Sequence, residues 1–267
     1  MEKVLEKILS RKREEVARAK MRLPAAVLES RLASAPAVRP FAARLQTGNG
    51  PHIIAEIKRA SPTKGVLRPG DKPLQWDPEA LARAYSQAGA AALSVITDEH
   101  FFWGSADTLD ACRSVTDLPV LRKDFIIDPY QVDESRWLSA DAVLLVVRAV
   151  DDATLVNCGR RARALGMDVL AEIHNEEEIA RALKVDGAII GINHRDLNTG
   201  HVDAHRAVHL APKIPHGQLV VAESGLKAVH ELRHLMKAGI DCFLIGEALS
   251  TSDDPRAALA ALHQAIV

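Results

Sequence analysis

Aromatic side chains and long apolar runs are scarce in this sequence, and each shortage excludes a class of protein. Aromatic residues make up 4% of the 267 residues, and they are too scattered to form a platform on which nucleobases could stack. Uninterrupted apolar runs reach six residues at most, as at 142–147, whereas a membrane-spanning helix needs about 18. We therefore expect no nucleic-acid partner and no membrane span.

A large net charge is also missing. The chain has 34 Lys and Arg against 35 Asp and Glu, a formal net charge of −1. Such a balance provides no overall basic field that would hold nucleic acid or an anionic membrane. Any anion must therefore be bound by a local site. With 48% hydrophobic and 26% charged residues, the composition is that of a folded globular protein rather than a disordered one.

Metal and disulfide patterns are absent as well. The cysteines are odd in number, far apart and without C-x-x-C spacing, which predicts buried reduced thiols at Cys112, Cys158 and Cys242. Three histidines recur every four residues but lack an H-E-x-x-H pattern and a carboxylate cluster. We interpret them as the exposed face of a helix: His201, His205 and His209. We expect no metal site.

The first 48 residues differ from the rest. Apolar residues at helical spacing between positions 4 and 16, followed by three prolines, predict a helical N-terminal extension over 1–48 and a second unit over 49–267. The N-terminus mixes both signs of charge and has no apolar core, so it fits neither a secretory signal nor a transit peptide. We expect a cytoplasmic protein.

From residue 49 onward one unit recurs: a short apolar run, a polar turn and an amphipathic helical stretch. Near-continuous apolar runs indicate strands buried on both faces of a parallel sheet. Eight such units predict an α/β fold, a (β/α)8 TIM barrel. A doubly wound open sheet is the alternative, but neither G-x-G-x-x-G nor a P-loop is present. The eight runs are 52–58, 91–97, 119–124, 142–147, 168–173, 188–193, 219–223 and 242–246.

Charged residues lie where the predicted strands end. By the two-residue period of a strand, Glu56 and Lys58 share the face of Ile54. Lys123 and Glu172 are placed in the same way on their own strands, and Asn193 ends another. In a barrel these side chains converge on one mouth, where Lys and Glu shift each other's pKa and serve as general acid and base. A lysine there could instead form a Schiff base, and the spacing does not separate the two roles.

The last two strand ends indicate a phosphate site. Ser224-Gly225 precedes a helical stretch predicted over 227–237, and Gly246-Glu247 precedes a second helical segment. Backbone N–H groups at two helix starts could therefore point to the same place. Barrels often bind phosphate after strands seven and eight, which favours this interpretation over simple turn chemistry.

Seven blocks, in chain order, closely resemble the indole-3-glycerol phosphate synthase family. The first is the strand-one block I-I-A-E-I-K-R-A-S-P-T-K-G, which begins at Ile53. The others are A-L-S-V-I-T-D-E with F-F-W-G-S, L-R-K-D-F-I-I-D-P-Y-Q, A-E-I-H-N, G-I-N-H-R-D-L, V-A-E-S-G and F-L-I-G-E-A-L. The helical extension is typical of the family too, so the resemblance covers essentially the whole chain.

The resemblance implies a reaction. The family converts 1-(2-carboxyphenylamino)-1-deoxyribulose 5-phosphate into indole-3-glycerol phosphate, releasing carbon dioxide and water without a metal or organic cofactor. An aryl carbon attacks the ribulose carbonyl, whose oxygen needs a proton donor as it becomes negative. Carbon dioxide then leaves, hydroxide departs with help from an acid, and a base takes a proton.

The resemblance also assigns catalytic roles. Lys123 matches the principal general acid of the family and Glu172 its general base. Lys58 matches the lysine that contacts the substrate carboxylate and is an alternative acid. Glu56 and Asn193 match residues that position the substrate hydroxyls and the catalytic lysine.

Further matches concern substrate binding. Arg195 matches the arginine beside the anthranilate carboxylate, Glu223 lines the same mouth, and Phe125 forms an aromatic wall. Glu247 is expected to act through its backbone N–H, because its carboxylate would repel an anion. The loops that match the phosphate site contain Ser61, Ser224, Gly225, Gly246 and Glu247.

The sequence departs from the family pattern at Trp103, Ser139 and His194, none of which replaces a matched catalytic residue. The rival interpretations are a phosphate-binding isomerase, a Schiff-base aldolase, and a silent barrel that only binds phosphorylated sugars or a partner enzyme. We expect a small phosphorylated substrate and a monomer or weak homo-oligomer. The resemblance leaves room for association with other tryptophan-pathway enzymes.

Overall fold

The computed structural model describes residues 4–48, 50–67 and 76–264, and eight parallel strands close into a barrel at its centre. The strands are β1 (His52–Ile57), β2 (Ala60–Ser61), β3 (Gly65–Val66), β4 (Ala92–Ile96), β5 (Val120–Lys123), β6 (Ala142–Val146), β7 (Asp168–Ile173), β8 (Ile189–Asn193), β9 (Val220–Glu223) and β10 (Cys242–Ile245). The short strands β2 and β3 pair with each other, antiparallel, outside the barrel.

Each of the eight predicted apolar runs contains one barrel strand, so the predicted (β/α)8 barrel is confirmed. The order is β1-β10-β9-β8-β7-β6-β5-β4, and β1 pairs with both β4 and β10. Because β1 pairs with strands on both sides, the sheet is closed, and the alternative of an open doubly wound sheet is wrong.

Helices surround the barrel and follow its strands. They are α1 (Val4–Arg22), α2 (Ala25–Arg31), α3 (Phe41–Arg44), α4 (Pro78–Gln87), α5 (Glu99–Phe102), α6 (Ala106–Ser114), α7 (Pro129–Trp137), α8 (Asp152–Ala164), α9 (Glu177–Ala182), α10 (Arg206–Leu210), α11 (Val229–Lys237), α12 (Glu247–Ser250) and α13 (Pro255–Gln264). Among the helices of the described segments, none has both the length and the apolarity that crossing a bilayer requires.

The two faces of the strands build two cores. Inward side chains such as Ile54, Leu121 and Leu170 fill the barrel and belong to one buried cluster. Outward side chains such as Ile53 and Val120 belong to the cluster beneath the helices. Because both faces are buried, an apolar residue is favoured at nearly every position, which explains the continuous apolar runs.

The N-terminal segment touches both ends of the barrel. At the end where the strands begin, Ala42 N–H donates to Asp168 Oδ2 at 2.8 Å. At the other end, Lys12 of α1 lies 2.9 Å from Asp124, just after β5. Residues 1–3, 49, 68–75 and 265–267, which belong to the predicted units 1–48 and 49–267, lie outside the described residues.

The cysteine prediction is confirmed, since Cys112, Cys158 and Cys242 are all buried and free. The histidine prediction is only partly right. His201, His205 and His209 are all exposed, but α10 begins at Arg206, after a loop that the side chain of Asp196 organises by accepting from two backbone N–H groups. The described residues contain no group of three or more His, Cys, Asp or Glu that could hold a metal ion.

Candidate active site

A cavity of about 1050 Å³, including its open mouth, lies where the barrel strands end. The structure thus brings together residues that the sequence placed on separate strand ends. All the predicted site residues except Glu223 line this cavity: Glu56, Lys58, Ser61, Lys123, Phe125, Glu172, Asn193, Arg195, Ser224, Gly225, Gly246 and Glu247.

Lys123 lies at the centre of the charged residues. Its Nζ is 3.3 Å from Glu172 Oε2 and also contacts Glu223 Oε2. Burial lowers the pKa of Lys123, but the negative charges of Glu223, Glu172 and Glu56 outweigh burial and hold the pKa well above its ordinary value. The side chain is therefore a stable ammonium group at neutral pH.

The two glutamates beside this ammonium differ in charge state. Burial raises the pKa of Glu172, yet Lys123, His174 and Asn193 lower it further, so that the net pKa is below its ordinary value. Glu223 is fully buried and lies below the cavity wall, not on it as the sequence suggested. Burial and the neighbouring Glu172 raise the pKa of Glu223 to about 8. One ammonium thus keeps Glu172 ionised but not Glu223.

Two glycines make room for buried carboxyl groups. A Cβ at Gly246 would overlap the carboxylate of Glu56, and a Cβ at Gly191 would overlap the carboxyl group of Glu223. Glu56 in turn holds Lys58, whose Nζ lies 2.7 Å from Glu56 Oε1. Sequence reasoning linked Gly246 to phosphate and gave Gly191 no role, although Gly191 lies one strand period before Asn193.

The predicted phosphate loops line the same cavity. Ser224 and Gly225 both have left-handed backbone, with φ of +66° and +74°. Position 225 requires glycine because its φ is positive and because a Cβ there would overlap Val202. The following helix, predicted to start at residue 227, begins at Val229, because Ala228 is still extended as its N-cap. The Ser224-Gly225 turn therefore does not open directly into a helix.

The carboxylate of Glu247 is neutralised by cations. Its oxygens lie 2.7 Å from Arg195 Nη2, 3.2 Å from Lys227 Nζ and 3.9 Å from Lys64 Nζ. Burial raises its pKa, but these cations lower the pKa below its usual range. Arg195, expected beside the anthranilate carboxylate, is held on the side of Glu247 and also donates to the carbonyl of Gly200. This region therefore carries an excess of positive charge.

Phe125 does not form the aromatic wall alone. The ring of Phe102 lies 6.3 Å from that of Phe125 at an interplanar angle of 36°, and both line the cavity. Phe102 ends the short helix α5, which begins with Asp98 accepting from the backbone N–H groups of Phe101 and Phe102. Sequence reasoning counted Phe102 among scattered aromatics, although its block F-F-W-G-S was part of the resemblance.

Lys12 supports these loops from behind, and sequence reasoning missed it. Its Nζ lies 2.7 Å from Glu15, 3.1 Å from Asp98 and 2.9 Å from Asp124, and the residue is 4% exposed. Burial raises the pKa of Asp124, but Lys12 and Arg122 hold it far below its usual range. A buried lysine of α1 thus joins the segments that carry Phe102 and Phe125.

The three departures from the family pattern lie in defined places. Ser139 and Trp103 both have left-handed backbone, with φ of +68° and +55°. Trp103 is the C-cap of α5, and the Arg59 guanidinium lies 5.8 Å from its ring centre. His194 is 1% exposed, and its Nδ1 lies 3.0 Å from the carbonyl oxygen of Ser224. His194 therefore braces the Ser224-Gly225 turn.

Comparison with known proteins agrees with the resemblance. The family model for indole-3-glycerol phosphate synthase matches residues 5–262. The chain is 44% identical over 266 residues to an indole-3-glycerol phosphate synthase of Laribacter hongkongensis (strain HLHK9), covering 98% of this chain and 99% of the relative. A protein of the same name from Polaromonas sp. (strain JS666 / ATCC BAA-500) is 43% identical over 266 residues, with 98% of each covered.

Solved structures share the barrel at much lower identity. An N-acetylmannosamine-6-phosphate 2-epimerase from Clostridium perfringens gives a TM-score of 0.56 at 17% identity, covering 74% of this chain and 87% of that one. A thiamine phosphate pyrophosphorylase from Pyrococcus furiosus gives 0.57 at 17% identity, covering 80% and 94%. At this distance the likeness concerns the fold alone.

Proposed function

The chain belongs to the indole-3-glycerol phosphate synthase family, and from that membership we propose which of its side chains carry the reaction. The enzyme is a carboxy-lyase of tryptophan biosynthesis that forms indole-3-glycerol phosphate from carboxyphenylamino-deoxyribulose phosphate. Ring closure, loss of carbon dioxide and loss of water require at least one proton donor and one proton acceptor near the new bond.

Lys123 is the general acid of this proposal. The supporting observation is its ammonium group at the cavity, surrounded by Glu172, Glu223 and Glu56. When the aryl carbon attacks the ribulose carbonyl, negative charge develops on the carbonyl oxygen. A fixed ammonium stabilises that charge and donates a proton to the alkoxide, whose own proton affinity is high.

Glu172 is the general base. Its lowered pKa keeps it ionised, and its Oε2 lies 3.3 Å from Lys123 Nζ, so acid and base act within one hydrogen-bonded pair. Glu172 takes the proton whose loss, together with departure of hydroxide, completes the indole double bond. Lys58 contacts the substrate carboxylate and is the second candidate acid, while Glu56 and Asn193 orient the lysines and the substrate hydroxyls.

The remaining cavity residues bind the ends of the substrate. Phe125 contacts the anthranilate ring, and Arg195 contributes positive charge toward its carboxylate. Glu223 does not line the cavity, and it acts on the reaction by holding the ammonium group of Lys123. The substrate phosphate is bound by the loops of Ser61, Ser224, Gly225, Gly246 and Glu247, with Glu247 using its backbone N–H while Arg195 and Lys227 neutralise its carboxylate.

We extend the proposal to organisation and partners. Residues 1–48 form an extension packed on the barrel domain of residues 49–267, as the Lys12 contacts support. The protein acts in the cytoplasm on one small phosphorylated substrate, as a monomer or weak homo-oligomer. We include association with other enzymes of the tryptophan pathway in this proposal, and the reaction uses no metal or organic cofactor.

The test incubates the purified protein with its substrate while indole fluorescence is followed, with and without EDTA and with and without borohydride. We expect product at the same rate with EDTA, and no reduced adduct by mass spectrometry. An adduct on Lys123 or Lys58 would replace the acid role with a Schiff base. Binding without product would favour a silent barrel instead.

A further inference from the structure

His174 is the one buried histidine that lies next to the candidate base. It follows β7, two residues after Glu172, and its side chain is 2% exposed. Its Nε2 lies 3.5 Å from Glu172 Oε1, and its Nδ1 lies 3.7 Å from Glu178 Oε2. Neither ring nitrogen has a hydrogen-bond partner among the described residues. The imidazole therefore lies between two carboxylates, behind the cavity wall.

This position lets the ring contact a carboxylate on either side. A ring N–H directed toward Glu172 Oε1 fixes the orientation of that carboxylate, while the opposite ring nitrogen faces Glu178. In a buried environment such polar contacts are stronger than in water.

Glu178 is a fixed anchor for the ring. Its carboxylate accepts from Arg148 Nε at 2.9 Å, from the backbone N–H of His174 at 2.7 Å and from Asn175 Nδ2 at 3.2 Å. Burial raises the pKa of Glu178, but His174 and Arg148 lower the pKa below its ordinary value. Glu178 is thus an ionised group that cannot easily move.

The side chains around His174 form a continuous series. Arg148, in the short turn after β6, pairs with Glu178 of α9, which faces the His174 ring. The other side of the ring faces Glu172 of β7, whose second oxygen faces Lys123 of β5. The series therefore runs from the half-buried Arg148 to the ammonium at the cavity, with the His174 ring between the two carboxylates.

We propose that His174 is a positioning residue: held beside Glu178, its ring orients the carboxylate of Glu172. With Oε1 engaged from behind, Oε2 remains directed at Lys123 and the cavity. This role rests on the base function proposed above for Glu172. It assigns no bond-making step to His174, which does not line the cavity.

The test compares His174→Leu and His174→Gln with the unmodified enzyme. We expect His174→Leu to lower kcat by up to about 100-fold, with KM within about threefold of wild type. His174→Gln keeps an N–H for Glu172 and should recover part of the loss. If the leucine variant does not fold, His174→Gln still provides the comparison with wild type. His209→Gln, an exposed histidine of α10, is the matched control and should behave as wild type.

The pH profile separates positioning from a merely structural role. His174 is one of the groups that lower the pKa of Glu172, so its removal should move the acid limb of kcat to higher pH, and activity should partly return as the pH rises. An acid limb that stays in place in both His174 variants would overturn the proposal, whatever happens to the rate or to the melting temperature.

A double variant distinguishes the two proposals. We expect Glu172→Gln to keep only a small residual rate, and adding His174→Leu should not lower that rate further, because His174 acts through Glu172. A further loss of tenfold or more would overturn the positioning role. Near-normal activity of Glu172→Gln alone would instead refute the base function itself.

Discussion

Gly246 borders Glu56 so closely that a side chain at position 246 would occupy the space of the Glu56 carboxylate. Glu56 in turn holds Lys58 at 2.7 Å. Gly246, just after β10, thus leaves room for the Glu56–Lys58 ion pair at the end of β1, because glycine has no Cβ.

Gly246→Ala should therefore impair catalysis more than stability. The new methyl group displaces Glu56 and, with it, Lys58, and a shift of about 1 Å in a catalytic group can cost about 100-fold in rate. We expect kcat/KM to fall on that order in steady-state assays. Gly217→Ala is the control, since nothing lies near Gly217. With its φ of +88°, it should lose stability but not activity. Full activity of Gly246→Ala would contradict this account.

Lys12→Met should destabilise the protein strongly. It leaves Asp98 and Asp124 buried without their shared cation, and removing one partner of a buried ion pair costs about 3–5 kcal/mol. Urea denaturation measures the change. Lys20→Met removes a partly exposed lysine of the same helix, 2.6 Å from Asp128, and should cost about 1 kcal/mol or less. An equal loss of unfolding free energy in the two variants would show that the buried ion pairs of Lys12 stabilise the fold no more than an exposed pair does.

Glu223 should give the wild-type protein a characteristic pH dependence of stability. Its pKa is raised to about 8 in the folded state, against about 4.3 in an unfolded chain. Between these values the folded state binds more protons, so this group's contribution to stability falls as pH rises from about 4.3 through 8.

Glu223→Gln removes that contribution because the amide does not titrate. The stability difference between wild type and variant, measured by urea denaturation at pH 5, 6.5 and 8, should shift in favour of the variant as pH rises. Glu29→Gln, at an exposed position, should show a constant difference. A constant difference for Glu223→Gln as well would mean that Glu223 is ionised throughout.

Ser139→Gly should stabilise the fold. Ser139 has a φ of +68°, where an L-residue is strained by about 1–2 kcal/mol, although glycine loses more backbone entropy on folding. We expect a net gain of about 0.5–1 kcal/mol. Ser10→Gly, in the middle of α1, should instead lose about 0.5 kcal/mol. A loss at both positions would rule out strain at Ser139.

The barrel was predictable from sequence because its strands are buried on both faces, as at Ile53 and Ile54. Because both faces are buried, successive positions of each strand are apolar, and the sequence shows a continuous apolar run. The charged strand ends were predictable for a related reason: Lys123 and Glu172 repeat the two-residue period of Leu121 and Leu170, and polar residues on an inward face can only meet at the barrel mouth.

Other features depend on distances between segments that sequence spacing does not encode. Nothing local marks Lys12 as buried, since it lies in a highly charged helix and meets Asp98 and Asp124 only after folding. The depth of Glu223 depends on the missing side chain of Gly191, on a neighbouring strand. The position of His174 near Glu172 could have been predicted, because His174 lies two residues after Glu172 and so continues its two-residue strand period.

Single-turnover kinetics of Lys123→Met show whether Lys123 supplies the proton for ring closure. Excess enzyme is mixed with substrate, and indole fluorescence and substrate binding are recorded together. Lys184→Met, at a surface lysine paired with Asp152, is the matched control and should match wild type. We predict that Lys123→Met binds substrate within a few-fold of wild type and forms product at least about 100-fold more slowly. Product formation at near the wild-type rate would contradict that role of Lys123.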